Sequence, residues 1–270
     1  MSNKPLAVVT GSSNGIGYEL ANILAHNGYD IVSVARSKDK LNEVEQEFID
    51  LGAQVYTLPT DLSTYEGVQH LKKQIDEIGR PIHTLIINAG QGLGGKFIGG
   101  TELADELNLI RLNVDSYVHM AKRFLPDMVE RGSGRVLMTS SISGTSPIPY
   151  ETIYGASKAF INSFFWALRN EIKDSGVQLT LLLPGPTETN FFHNAGQANN
   201  TQVGESEKTS PATVARRAWY ALESNHECVY GDEQAEYLGE VLHRNLSESQ
   251  KAQARRIHSE PKSNTIDGYL

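Results

Sequence analysis

A single cysteine, Cys228, in 270 residues rules out an intramolecular disulfide. It also stands far from any His/Cys cluster and so gives no metal-ligand spacing. No apolar run approaches the roughly 20 residues that a membrane-spanning helix needs. The opening Met1-Ser2-Asn3-Lys4-Pro5 runs straight into a short apolar strand pattern, without the charged, apolar and small-residue regions of a secretory signal. Together these absences lead to the expectation of a reducing, cytoplasmic setting. Cations are in deficit: 24 Lys and Arg face 32 Asp and Glu, a net charge of −8. That balance argues against a nucleic-acid partner, whose phosphates require clustered positive charge, and favours solubility. With no linker, internal repeat or low-complexity tract, residues 1–270 read as one domain, long enough to bury most of its unfolded surface in a single core.

Short branched, apolar runs recur at Leu6 to Val9, Asp30 to Ala35, Gln54 to Leu58, Thr84 to Asn88, Val136 to Ser140 and Gln178 to Leu183, with helical periodicity between them. Near-continuous apolar strands alternating with helices predict an α/β fold: a doubly wound parallel sheet with helices on both faces, three layers in all. Asn27-Gly28, Gly52 and Gly176 stand where left-handed caps would close helices before the next strand. Three segments break this rhythm. Gly90 to Gly100 is glycine-rich and follows a strand end, where such sheets place their binding crevices. Residues 191–211 are polar and too long for an ordinary connection, which fits a substrate lid. Residues 232–270 form a charged helical tail, whose Lys251, Arg255, Arg256 and Lys262 read as a solvated face.

Thr10-Gly11-Ser12-Ser13-Asn14-Gly15-Ile16-Gly17 follows the first strand and opens the first helix. Glycines there let the backbone approach a pyrophosphate, and the helix N-terminus offers free N–H groups. A carboxylate at the tip of the second strand would accept bonds from a ribose 2′-hydroxyl. The chain instead reads Val34-Ala35-Arg36-Ser37, and the Arg36 fork suits a 2′-phosphate. This favours NADP(H) over NAD(H). Asp61-Leu62 and Asn88-Ala89-Gly90, each after a strand, are candidates for holding the adenine and the sheet edge beside it, or plain turn residues. Further on, Tyr154 and Lys158 lie four residues apart on one helical face. A phenol titrates near 10, and bringing it to about 7 takes roughly 4 kcal/mol, more than one exposed ammonium supplies. The pair therefore predicts company: a second positive charge, a dry pocket and hydrogen-bond donors.

Ser141 ends the fifth strand, thirteen residues before Tyr154, and Asn113 lies in the preceding helical stretch. In this order and spacing the residues resemble the short-chain dehydrogenase/reductase family from about Lys4 to Thr189. The resemblance rests on the Thr10–Gly17 turn, Asn88-Ala89-Gly90, Asn113, Ser141, Tyr154 with Lys158, and Pro184-Gly185-Pro186-Thr187-Glu188-Thr189. It implies a Rossmann-type sheet and an NADP(H)-dependent oxidoreductase interconverting a carbonyl and a secondary alcohol. Tyr154 would be the general acid/base, Ser141 the donor to the substrate oxygen, and Asn113 the holder of a relay water. Lys158 would lower the Tyr154 pKa and hold the nicotinamide ribose, and the oxidised nicotinamide would supply the second positive charge. Pro184, Gly185, Thr187 and Thr189 would close over the nicotinamide. A homodimer or homotetramer through the helices around Thr101 to Arg131 and Glu151 to Lys173 is implied too. The chain departs from the family after Cys228-Val229-Tyr230-Gly231-Asp232, where the polar tail follows.

The candidate substrate walls, Ile142, Ser143, Ile148, Tyr150, Gly90 to Gly95 and Phe191-Phe192, carry few charges. No arginine or lysine is evidently placed to clamp a substrate anion, so a mostly uncharged carbonyl of moderate size is expected. Two other readings share these residues: an NAD-linked dehydrogenase, and a dinucleotide-sensing or scaffold protein that keeps the fold with little chemistry.

Overall fold

The computed structural model describes residues 4–262. The first three residues of the expected leaderless start and the end of the tail, 263–270, lie outside them. Strands β1 (Leu6–Thr10), β2 (Asp30–Ala35), β3 (Val55–Pro59), β4 (Ile82–Ile87), β5 (Gly134–Thr139) and β6 (Val177–Leu183) fall on the six apolar runs read from the sequence. A seventh, β7 (Cys228–Tyr230), is only three residues long and gave no periodic signal. All pairings are parallel, in the order β3-β2-β1-β4-β5-β6-β7.

Strand alternation sorts the core into two layers. Leu6 and Val8 of β1 and Val136 and Met138 of β5 point to the face covered by α3 (Tyr65–Ile78), α5 (Ser116–Arg131) and α6 (Thr152–Glu171). Ala7, Val9 and Leu137 point to the other, covered by α1 (Gly15–His26), α2 (Lys38–Asp50) and α9 (Pro211–Glu223). A period of two along each strand therefore buries both faces. The short α4 (Leu103–Ile110) leads through a wide π turn, Arg111–Asp115, into α5.

The sheet order reverses between β1 and β4, so their loops diverge and leave a crevice at the strand C-termini, where α/β sheets bind ligands. Over that crevice sit α7 (Phe191–Asn194) and α8 (Gln202–Glu205), short helices in the segment read as a lid. A parallel bridge between Thr187 and Thr209 closes the base of that segment. The tail forms α10 (Glu233–Tyr237), a π turn at Leu238–Leu242 and α11 (Glu248–Ser259). The Ser259 Oγ donates to the Pro149 carbonyl at 2.6 Å, and Lys262 N donates to Asn200 O at 2.6 Å. The tail thus packs on the loop before α6 and on the segment 191–211.

Candidate functional site

A cavity of about 590 Å³ runs along the crevice from Gly11 and Arg36 at one end to Tyr154, Phe192 and Arg255 at the other. At the first end the backbone is shaped by glycine. Gly11 (φ +70°) and Gly15 (φ +58°) are left-handed, and a Cβ on Gly17 would stand 2.2 Å from the Gly11 carbonyl. Gly17 therefore lets α1 start close against β1, while Gly11, Ser13, Asn14, Gly15 and Ile16 line the cavity. The Thr10 Oγ1 ties the next loop down, accepting from Asn88 N at 2.8 Å and Ala89 N at 3.1 Å. Helices α2, α3 and α9 have Ser37, Thr64 and Ser210 side chains capping their first N–H groups. Asn14 makes no such bond at α1, which keeps those donors open toward the cavity.

Arg36 is exposed at the cavity rim beside Ser37 and Lys40. Sequence reasoning passed over Lys40, although its place in the first turn of α2, just past the Ser37 cap, was a usable signal. Asp61 does not reach the cavity. Its Oδ1 accepts from Ser63 N at 2.9 Å and Ser63 Oγ at 2.7 Å, so the carboxylate is spent on the turn before α3. Thr60 and Leu62 line the cavity in its place.

At the other end Ser141, Tyr154 and Lys158 share one wall. Tyr154 is buried, which pushes its phenol well above the ordinary tyrosine value, and a hydrogen bond with Ser141 pulls the other way. Burial pulls the Lys158 ammonium down to about 8. Its Nζ donates to the Thr139 carbonyl at 3.1 Å and lies 5.6 Å from the Tyr117 ring centre and 5.9 Å from that of Tyr154. The fully buried Tyr117, not anticipated from sequence, donates to the same carbonyl at 2.8 Å. Asn113, in the π turn, clamps the loop after β4: its Oδ1 accepts from Gln91 N at 3.0 Å and its Nδ2 donates to Gln91 O at 2.9 Å and Ser157 Oγ at 3.2 Å. The Thr139 Oγ1 is buried without a hydrogen-bond partner beside this wall.

The substrate end differs most from expectation. Ile142, Ser143, Gly90, Gly92, Phe191 and Phe192 do line it, but Ile148 is packed into the interior and Tyr150 turns outward. Tyr150, left-handed at φ +63°, bonds to Glu260 and accepts from Arg256 Nη2 at 2.8 Å. The glycine-rich loop fits under the lid for want of side chains. A Cβ on Gly92 would meet the Phe191 ring at 2.4 Å and one on Gly94 would meet Gln197 at 2.4 Å. Phe191 in turn lies 5.2 Å from the Tyr154 ring, centre to centre. Two charged residues line this end, Glu151 and Arg255, against the expectation of an essentially uncharged wall. Arg255 equally departs from the solvated face read for the tail. Its register on α11 carries no local motif, so only the docking of the tail reveals it. Among the described residues no group of His, Cys, Asp and Glu could hold a metal ion, and no helix is long and apolar enough to cross a membrane.

Pro184, Gly185, Thr187 and Thr189 close the cavity where β6 leads into the lid, and Thr189 packs within 2.9 Å of where a Gly15 Cβ would be. The short chain dehydrogenase family model matches residues 5–200. Sulfoacetaldehyde reductase 2 of Chromohalobacter salexigens is 30% identical over 187 residues, 69% of this chain and 74% of that protein. A short-chain dehydrogenase from Sphingobium yanoikuyae, solved with NADPH, superposes with a TM-score of 0.79 at 26% identity, covering 93% of this chain and 99% of that one. A short-chain dehydrogenase/reductase from Burkholderia phymatum, solved with NAD, shares the fold at a TM-score of 0.81 and 23% identity, covering 96% and 98%. The match over most of the sheet, together with the Ser141, Tyr154 and Lys158 wall, makes this chain an oxidoreductase of the short-chain dehydrogenase family.

Proposed function

We propose that this protein interconverts a carbonyl and a secondary alcohol by hydride transfer with NADP(H). The observation that carries the reading is one continuous cavity with a glycine-built, uncapped helix start at one end and the buried Tyr154, Ser141 and Lys158 at the other. Gly11, Ser13, Asn14, Gly15 and Ile16 would hold the pyrophosphate, Arg36 and Lys40 a 2′-phosphate, Leu62, Asn88, Ala89 and Gly90 the adenosine half, and Pro184, Gly185, Thr187 and Thr189 the nicotinamide. When bound, the dinucleotide supplies the hydride.

Tyr154 would donate its phenolic proton to the substrate oxygen during reduction. Burial keeps it in the protonated form at neutral pH, the form a general acid needs. Ser141 would hydrogen-bond the same oxygen as negative charge develops on it. Lys158 would favour the transient phenolate through its ammonium and bond the nicotinamide ribose. Asn113 fixes the Gln91 loop with its side chain and would hold the water that reconnects Lys158 to solvent. The segment 191–211 would act as the lid. Exposed Leu107, Phe160 and Trp166 on α4 and α6 support pairing of two chains there, which sedimentation would test.

Replacing Tyr154 with Phe removes only the proton donor. Carbonyl reduction, followed by NADPH absorbance, should fall at least 10²-fold, in line with the contribution of general acid catalysis, while NADPH still binds. Undiminished turnover in this variant would remove Tyr154 from the chemistry. Tight NADPH binding with no turnover of any carbonyl in the native protein would favour a sensing role instead.

A further inference from the structure

The tail carries five cations that do not behave alike. Arg244 pairs with Glu240 at 2.5 Å, Lys251 with Glu248 at 2.7 Å, Arg256 with Glu260 at 2.8 Å, and Lys262 with Glu205. Arg255 makes no such close pair, although Glu151 acts on its charge from farther off. Its Nε is buried without a hydrogen-bond partner, and no carboxylate among the described residues lies within ion-pair distance of it. Yet it lines the cavity that holds Tyr154, Ser141 and Lys158. Arg255 is part-buried, and leaving its Nε–H out of water without a partner is unfavourable unless another group completes the site.

The surroundings fix the arginine and give it no close partner, with Glu151 acting on its charge from beyond ion-pair distance. Helix α11 begins with a reciprocal Ser247–Gln250 capping box and ends on the Ser259 bond to Pro149, so the Arg255 backbone is anchored on both sides. Glu151 is the nearest carboxylate of the cavity wall. It is buried and accepts from Gln197 Nε2 at 2.9 Å; burial pushes its pKa up, while the Gln197 bond and the Arg255 charge pull it back. Lys158 adds a second buried ammonium to the same cavity. Two cations, Lys158 and Arg255, therefore face one carboxylate, Glu151, at the substrate end, and the Arg255 guanidinium makes no hydrogen bond to the described residues.

We propose that Arg255 is the specificity-determining residue of the substrate site and recognises a carboxylate or sulfonate on a small oxo- or hydroxyacid whose carbonyl carbon is the one reduced. A guanidinium matches the paired oxygens of either anion, and both would use the same fork. The inference rests on the carbonyl-reductase reading above, and it deepens that reading by naming the substrate class. It gives the tail a purpose: α11 closes the substrate end and brings to it a guanidinium, which β1 to α9 do not provide there.

The test compares the native protein with Arg255→Gln and Arg255→Lys, using three ketones under NADPH absorbance: 4-oxopentanoate, 2-oxopropanesulfonate and uncharged 2-pentanone. The native protein should show kcat/KM at least tenfold higher for one or both anions than for 2-pentanone. Arg255→Gln should shrink that ratio at least tenfold, mainly through KM, with Arg255→Lys in between. A preference for 2-pentanone, or a ratio unmoved by the glutamine, would overturn the proposal. Titration calorimetry of the secondary alcohols 4-hydroxypentanoate and 2-hydroxypropanesulfonate into the NADP⁺-bound protein separates this idea from the catalytic one. Binding that Arg255→Gln weakens tenfold upholds the anion site even with no turnover of any ketone. Absent or unchanged binding refutes it even in an active reductase. The two anions show whether carboxylate or sulfonate is preferred.

Discussion

The two ends of the cavity are built on different principles. The dinucleotide end comes from consecutive residues: β1, the Thr10–Gly17 turn and the start of α1 make it almost unaided, with Asn88 and Ala89 laid against them. Its shape is set by backbone, because glycines remove side chains where chain segments touch. The substrate end is assembled from segments far apart in sequence: the loop after β4, the loop before α6, the lid and α11. Its shape is set by side chains such as Phe191, Gln197 and Arg255. The first design is rigid, and the second can be retuned without disturbing the sheet.

Adding one methyl group at each end should break this comparison if it is wrong. In Gly17→Ala the new Cβ meets the Gly11 carbonyl at 2.2 Å, and neither backbone can yield without opening the β1–α1 contact. A loss of about 1–3 kcal/mol, of the order seen for overpacking, is expected in urea unfolding, together with a weakening of NADPH binding. In Gly92→Ala the obstacle is the far end of the Phe191 side chain at 2.4 Å, which can rotate away. Stability should change by less than about 1 kcal/mol. The ring would leave its 5.2 Å contact with Tyr154, so kcat/KM should still fall several-fold. Equal destabilisation by both substitutions would show that the substrate end is as rigid as the dinucleotide end.

The same contrast explains what the sequence disclosed. Six strands were legible because both faces of a parallel strand are apolar, and Gly28, Gly52 and Gly176 do adopt the left-handed backbone their positions suggested. That Tyr154, Lys158 and Ser141 come together on one cavity wall was legible because their spacing is fixed by a single helix and a single strand end. Asp61 was open to two readings, an adenine contact or a turn residue, because a carboxylate at a turn can serve the turn itself, and its Oδ1 does so through Ser63. Glu151 precedes Tyr154 by three residues, one helical turn, and could have been noticed. Arg255 could not, since nothing near it in the chain records that α11 folds back over the lid. Long-range docking of an irregular tail leaves no period to read.

A smaller effect is expected where the dinucleotide end is itself built from side chains. Arg36 and Lys40 reach the cavity rim from an exposed position, so each contributes through partly screened charge. Arg36→Ala and Lys40→Ala should each weaken NADPH about tenfold, equivalent to about 1.4 kcal/mol, and leave NADH nearly untouched. The difference should narrow as salt is raised. Equal losses for the two dinucleotides would remove these cations from 2′-phosphate recognition and favour an NAD-linked enzyme.

The smallest effect concerns how the substrate end is held in acid. His243 follows the π turn of the tail and is buried, its Nδ1 2.6 Å from the hydroxyl of Thr145, which ends the short helical turn that starts at Ser141. Burial first, then Arg255 and Lys251 of α11, depress its pKa to about 4, and Glu248 opposes them weakly. The unfolded imidazole binds its proton near 6.5, so between about 6.5 and 4 the unfolded chain holds more protons than the folded one. This contribution is intact above about 6.5 and is lost as the pH falls toward 4. Thermal midpoints should therefore drop further from pH 7 to pH 5 in the native protein than in His243→Gln, which can keep a bond to Thr145 but does not titrate. Hydrogen exchange should place the loosening at Leu238–Leu242 and α11, with β1 and α1 unaffected. A uniform loss of protection would mean that acid acts on the sheet as a whole and that the tail is no separate, retunable wall of the site.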